Sequence, residues 1–129
     1  MKKGKSQIPQ KQAAISFLQL ASSGKVQEAY RTYVGEAFRH HNPFFQGHAK
    51  ALMTAMGENA AQHPDMVFDV LRVLEDGDLV AVHSHVMLKP GDRGIATVHI
   101  FRFEGDRIVE LWDVGQPVPD ETPNRYGMF

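Results

Sequence analysis

The sequence contains no cysteine, which excludes a disulfide framework and thiolate metal ligands and suits a reducing, cytoplasmic compartment. It has no excess of one charge: 14 Lys and Arg stand against 15 Asp and Glu, and only Lys2, Lys3 and Lys5 form a locally basic tip. Nucleic-acid binders concentrate Lys and Arg on one face, so no nucleic-acid partner is expected. No apolar run approaches the roughly 20 residues that span a bilayer. Residues 6–12 are polar where a signal peptide has its apolar core. A soluble, unprocessed chain with no membrane partner is therefore expected. Also missing are a phosphate-cradling G-x-x-x-x-G-K-[ST], a G-x-G-x-x-G, a G-x-S-x-G elbow and an H-E-x-x-H. Nucleotide chemistry and serine hydrolysis are disfavoured accordingly.

What remains is a chain of 129 residues, 43% hydrophobic, without repeats or a long linker, which reads as one domain over 1–129. Ala14, Phe17, Leu18 and Ala21 recur at helical spacing over 9–21, and Ser22-Ser23-Gly24 ends the run. Val26, Ala29, Tyr30, Tyr33 and Ala37 predict a second helix, weakened at Gly35. Ala49, Leu52, Met53, Met56 and Ala60 predict a third between Gly47 and Pro64. Beyond Pro64 the period falls to two, predicting strands over 66–74, 79–88, 95–103 and 108–114. The turns between them are short, so neighbours pair antiparallel. Helices followed by a meander indicate an α+β domain, its helices on one face of a curved sheet that leaves a cavity at its mouth. Residues 115–129 read as an extended arm. Its apolar end, Tyr126-Gly127-Met128-Phe129, predicts docking over its own cavity or on a partner subunit.

The residues that could move protons are histidines. A turn centred near Gly91-Asp92 sets His85 opposite His99 and His83 opposite Phe101, so that His83, His85, Thr97, His99 and Phe101 share one face. Adjacent imidazoles suppress each other's ionisation, which leaves one to take a proton and one to orient or donate. The plainer alternative is that they are solvated or bonded to backbone groups. His83-x-His85 with His99 also supplies three imidazoles for zinc, but no carboxylate stands out to orient them, and no metal or other cofactor is expected. In His40-His41-Asn42-Pro43, Pro43 forces its predecessor into extended geometry, and either histidine can face the cavity mouth or solvent. At the last strand, a two-residue turn at Gly105-Asp106 puts Trp112 opposite His99. One residue of difference puts Leu111 and Asp113 inside instead. Phe44, Phe45, Met53, Met56, Phe101 and Trp112 are candidate apolar walls.

The segment Phe38-Arg39-His40-His41-Asn42-Pro43, and the block over 98–114 that closes on Glu110-Leu111-Trp112-Asp113, resemble the SnoaL-like polyketide cyclase family of the NTF2-like superfold. Residues 124–129 are similar to the C-terminal arm of its small bacterial branch, labelled as aldol-condensation enzymes. The resemblance covers essentially the whole chain. It implies a cone-shaped α+β barrel, a homodimer formed through the outer sheet face, and a cavity used without metal or organic cofactor. It also implies an acid/base Asp and a helping His, at positions that fall here on His99 and His85. Histidine in place of Asp is a departure, because its charged form has the opposite sign. The expected function is an acid/base enzyme of aldol-condensation, cyclase or isomerase type acting on a small carbonyl compound. Its catalytic residues would be His85, His99 and His83, and its substrate-binding residues His40, His41, Phe44, Met53, Met56, Phe101, Trp112 and Asp113. A non-catalytic binding or assembly module is the alternative. An epoxide-type hydrolase ranks third, because Asp69, Arg102 and Asp113 are scattered in register.

Overall fold

A computed structural model describes residues 8–129; the basic Lys2, Lys3 and Lys5 lie outside the described residues. Helix α1 (Gln10–Ser22) and α2 (Val26–Tyr33) precede strand β1 (Val34–His40), helix α3 (Ala49–Gln62) and strands β2 (Val67–Asp76), β3 (Leu79–Met87), β4 (Ile95–Glu104) and β5 (Arg107–Pro117). The apolar stripe of α1 buries Ala14, Phe17, Leu18 and Ala21. Phe17 meets Tyr30 edge-on at 5.2 Å and Phe101 at 5.8 Å, which ties α1 to α2 and to the sheet. Val80, Val82, Phe103, Ile108 and Leu111 complete the core beneath the helices. Helix α3 starts where the His48 ring nitrogen Nδ1 accepts from the Ala51 N–H at 3.2 Å.

The five strands form one sheet in the order β1-β5-β4-β3-β2, with β1 parallel to β5 and the other pairs antiparallel. This is an α+β layer structure, as expected, but the sheet stays open: β1 and β2 are its two edges and do not meet to close a barrel. The second helix is also shorter than the sequence predicts. It stops at Tyr33, Val34 is already extended, and Ala37 belongs to β1. Pairing of β1 with β5 accounts for the change, and Gly35 eases it: a Cβ there would sit 3.3 Å from Arg107 Cβ and 3.4 Å from Val109 Cγ1, closer than an ordinary contact.

The C-terminal arm docks, though not over the cavity. β5 runs on to Pro117 beside Ile95, the Val118 N–H donates to the Gly94 carbonyl at 3.0 Å, and Arg93 pairs with Asp120. This path carries the arm onto the outer face of its own sheet, where Phe129 stacks on His85 at 4.2 Å.

Candidate acid/base site in the sheet cavity

The β3–β4 register decides which histidines meet. His99 pairs with Val82, His83 with Val98 and His85 with Ala96. His99 therefore stands three positions from its expected partner, and an odd offset exchanges the faces of a strand. Gly94 (φ +78°) sets the loop: a Cβ there would collide with the Val86 carbonyl oxygen. His99 and Thr97 face the helices, whereas His83 and His85 face outward. His83 accepts from an Arg72 guanidinium nitrogen at 2.5 Å, and His85 donates to the Arg93 carbonyl at 2.6 Å. Both imidazoles lie under Phe129. The three rings considered for zinc thus sit on opposite sides of the sheet. No cluster of three or more metal-ligating side chains occurs among the described residues.

The second register is shifted by a bulge. Phe103 pairs with Ile108 but Arg102 with Glu110, so Val109 is an extra residue in β5. Asp113, not Trp112, therefore lies directly across from His99. The His99 ring is 8% exposed, and its Nδ1 has no protein partner among the described residues. Burial pulls its pKa from 6.5 down to about 4 against the opposing pull of the Asp113 carboxylate, so the ring is neutral at neutral pH. Asn42 Nδ2 donates to the two oxygens of Asp113 at 3.3 and 3.2 Å, while its own Oδ1 accepts from the Phe44 N–H at 3.0 Å. Tyr30 is buried in the adjoining core. Its hydroxyl reaches Met56 Sδ at 3.5 Å, and burial, then the charge of Asp113, raise its pKa.

Two hollows border this pair, both lined by His99 and one of them by Asp113. A cavity of about 720 Å³, bordered by Pro43, Phe44, Ile95, Asp113 and Pro117, opens to solvent. A second of about 200 Å³ runs inward past Met56 and Phe68. Thr97 and His99 line both.

The other expected site residues are spread more widely. Phe44 and Met56 line these hollows. Phe101 is buried in the core with its ring 6.3 Å from that of His99, and Met53 borders a separate surface groove beside α2. His40 is buried and latches the loop: its Nε2 bonds the Gln46 carbonyl at 2.5 Å and its Nδ1 accepts from the Asn42 N–H at 3.1 Å. His41 and Trp112 stack on the outer face at 5.0 Å. There His41 bonds Glu110 at 2.6 Å, and Arg39 and Arg102 bond the same carboxylate at 2.9 and 3.0 Å. These partners, Arg39 first and His41 next, hold the Glu110 pKa down at about 2. Sequence reasoning did not give roles to Asn42, Tyr30 and Glu110. The only available signal was for Asn42, whose amide stands one residue before a proline that fixes its backbone.

An open sheet roofed by three helices, with a carboxylate and a neutral imidazole facing each other on its helix side, defines an α+β domain of NTF2-like fold. The chain belongs to the SnoaL-like domain family, whose model matches residues 15–111. It is similar in structure to an NTF2-like protein of unknown function from Cytophaga hutchinsonii, with a TM-score of 0.70 at 18% identity over 88% of this chain and 96% of that one. AclR of Streptomyces galilaeus, a candidate hydroxylase, gives a TM-score of 0.72 at 18% identity over 88% of this chain and 83% of its own. IdmH of Streptomyces antibioticus, a candidate polyketide cyclase, gives 0.66 at 20% identity over 83% of this chain and 92% of its own. No curated protein sequence matches the chain.

Proposed function

We propose that this protein catalyses proton transfer next to the carbonyl of a small uncharged compound, the step shared by enolisation, isomerisation and aldol closure. The observation that carries the reading is the direct opposition of His99 and Asp113 in the wall of the outer hollow. The Asp113 carboxylate, oriented by Asn42, takes the proton from the α-carbon. The electron pair moves into the carbonyl, and the developing enolate oxygen accepts a hydrogen bond from the neutral His99 ring. The proton then returns from Asp113 to carbon, or the enolate carbon bonds a second carbonyl whose oxygen takes that proton. A neutral imidazole suits the donor role because it stabilises the oxyanion without first having to ionise. IdmH, described as a candidate cyclase, and the family itself are compatible with this chemistry.

For the partner we propose a second copy of this chain. Leu74, Ala81, Ile100 and Trp112 form one cross-strand apolar row on the outer face, and Leu74 is 69% exposed. Sedimentation at micromolar concentration checks this, with a single monomeric species as the opposing result.

The catalytic reading is tested by α-proton exchange in D₂O, followed by NMR with a panel of uncharged ketones beginning with acetophenone. The wild type should exceed the buffer rate, and Asp113→Asn should lose roughly 10²–10⁴-fold. Equal rates in wild type, Asp113→Asn and His99→Gln would overturn it in favour of a binding module.

A further inference from the structure

Thr97 and His99 are shared by the walls of the two hollows. The inner hollow, about 200 Å³, is walled mainly by Leu18, Met56, Met66, Phe68 and Val86, with Ser22 and Asn59 on its solvent side. A dry protein cavity of about 150 Å³ lined by Leu, Ile and Phe takes up benzene. The inner hollow has the volume and the mainly apolar wall to take one six-membered ring.

Where the two hollows share a wall, Thr97 Oγ1 and His99 Nδ1 are buried with no protein partner among the described residues; Ser84 Oγ, likewise unpartnered, lies on the same face of the sheet but lines neither hollow. Ser84 and Thr97 are cross-strand neighbours, so their hydroxyls lie on the same cavity-facing side as His99. Buried polar atoms are rarely left unpaired, and a ligand oxygen at this point satisfies them. Thr97 and His99 can donate or accept through one hydroxyl and one ring nitrogen, which matches a carbonyl or hydroxyl group.

Charge narrows the choice further. Neither hollow is lined by Lys or Arg among the described residues, and the fixed charge in them is the Asp113 carboxylate. An entering anion would meet a negative group with no cation in the lining to offset it.

We infer that the ligand is an uncharged aryl carbonyl compound, its single ring in the inner hollow and its oxygen at Thr97 and His99, and that carboxylates of similar shape are rejected. This rests on the reading of His99 and Asp113 as the carbonyl site. Larger substituents on the carbonyl carbon extend into the outer hollow, past Phe44.

The test compares acetophenone with benzoate by NMR titration of the full chain at pH 7. Saturable acetophenone binding is expected, with shifts at Thr97, His99 and Val86, and benzoate should bind at least tenfold more weakly. Val86→Phe, which fills the inner hollow, should weaken acetophenone at least tenfold, and Asp113→Asn should narrow the gap between the two probes. Should Val86→Phe fail to fold by circular dichroism, Met66→Phe fills the same hollow from outside the sheet. Three results would each overturn the inference: no saturable acetophenone binding, benzoate within threefold of acetophenone, or unchanged affinity in the folded filling variant. Acetophenone binding without α-proton exchange would instead overturn the acid/base reading and leave this one standing. Exchange without discrimination against benzoate would do the reverse.

Discussion

Asn42 donates to both carboxylate oxygens of Asp113 inside the sheet, while its neighbour His41 stacks on Trp112, the residue before Asp113, outside it. Two consecutive loop residues thus hold two consecutive strand residues from opposite faces, and the His41 N–H bonds the Leu111 carbonyl at 3.0 Å between them. A hydrogen bond to a charged group contributes about 1.5–3 kcal/mol. Asn42→Ala is therefore expected to slow α-proton exchange roughly 10–100-fold. Rates measured across pH should show the loss in kcat rather than in KM, and wild-type kcat in the variant would remove the positioning role.

His99 should make stability depend on pH. Its folded pKa, about 4, lies below the ordinary 6.5, so between these values the unfolded chain binds a proton that the native protein does not. Stability is then fully present above pH 6.5 and declines as pH falls toward 4. From pH 7 to pH 5 this one group should remove about 2 kcal/mol. Urea unfolding of wild type and His99→Gln at both values checks it: the variant should lose less, and parallel losses would refute the assignment.

Glu110 acts in a lower window. Its folded pKa, about 2, lies below the ordinary 4.5, so its contribution is present above pH 4.5 and lost as pH falls toward 2. Glu110→Gln should flatten the acid-unfolding curve in that range while lowering stability at pH 7, where Arg39, Arg102 and His41 lose their shared anion. Superimposable acid curves for the two proteins would count against it.

How much of this was legible in the sequence depends on the distance over which each feature is fixed. α1, α3 and the last four strands follow from local periodicity and turn residues, and their predicted extents agree closely with the fold. β1 was hidden because Ala37 falls four residues after Tyr33 and extends the helical stripe of α2, while what makes the segment a strand is pairing with β5, far along the chain. His99 was recognisable as a cavity residue, but its partner was not. The loop over 88–94 is shaped by the left-handed backbone of Gly94 rather than by its length, and counting from an assumed turn centre put His85 where Val82 stands. The choice between Trp112 and Asp113 was open for a related reason, since nothing in the order of Ile108, Val109 and Glu110 announces an extra residue.

The two loop glycines make a sharp comparison. Gly91 has φ +88° and open space around its missing Cβ, so Gly91→Ala should cost only the left-handed backbone, about 1–2 kcal/mol. Gly94→Ala adds a collision with the Val86 carbonyl and close approaches to Met87 and His85, and should exceed about 3 kcal/mol. Denaturation midpoints of the two variants decide the matter, and equal losses would mean that the loop relaxes freely.

Because the C-terminal arm lies on the outer face, Phe129→Ala removes its stacking on His85 without reaching the cavity. Acetophenone affinity and exchange rate are expected to stay within twofold of the wild type. A larger change would show that the arm communicates with the interior.

The single surplus residue at Val109 has a reach well beyond its own position. Every side chain after it in β5 owes its side of the sheet to that one extra step. Were it deleted with the hairpin held in place, an indole would swing inward to meet the imidazole, and the carboxylate would be left among the cations outside. Chain length at this point acts as a chemical group in its own right, able to trade a proton acceptor for an oily wall without altering the identity of either residue.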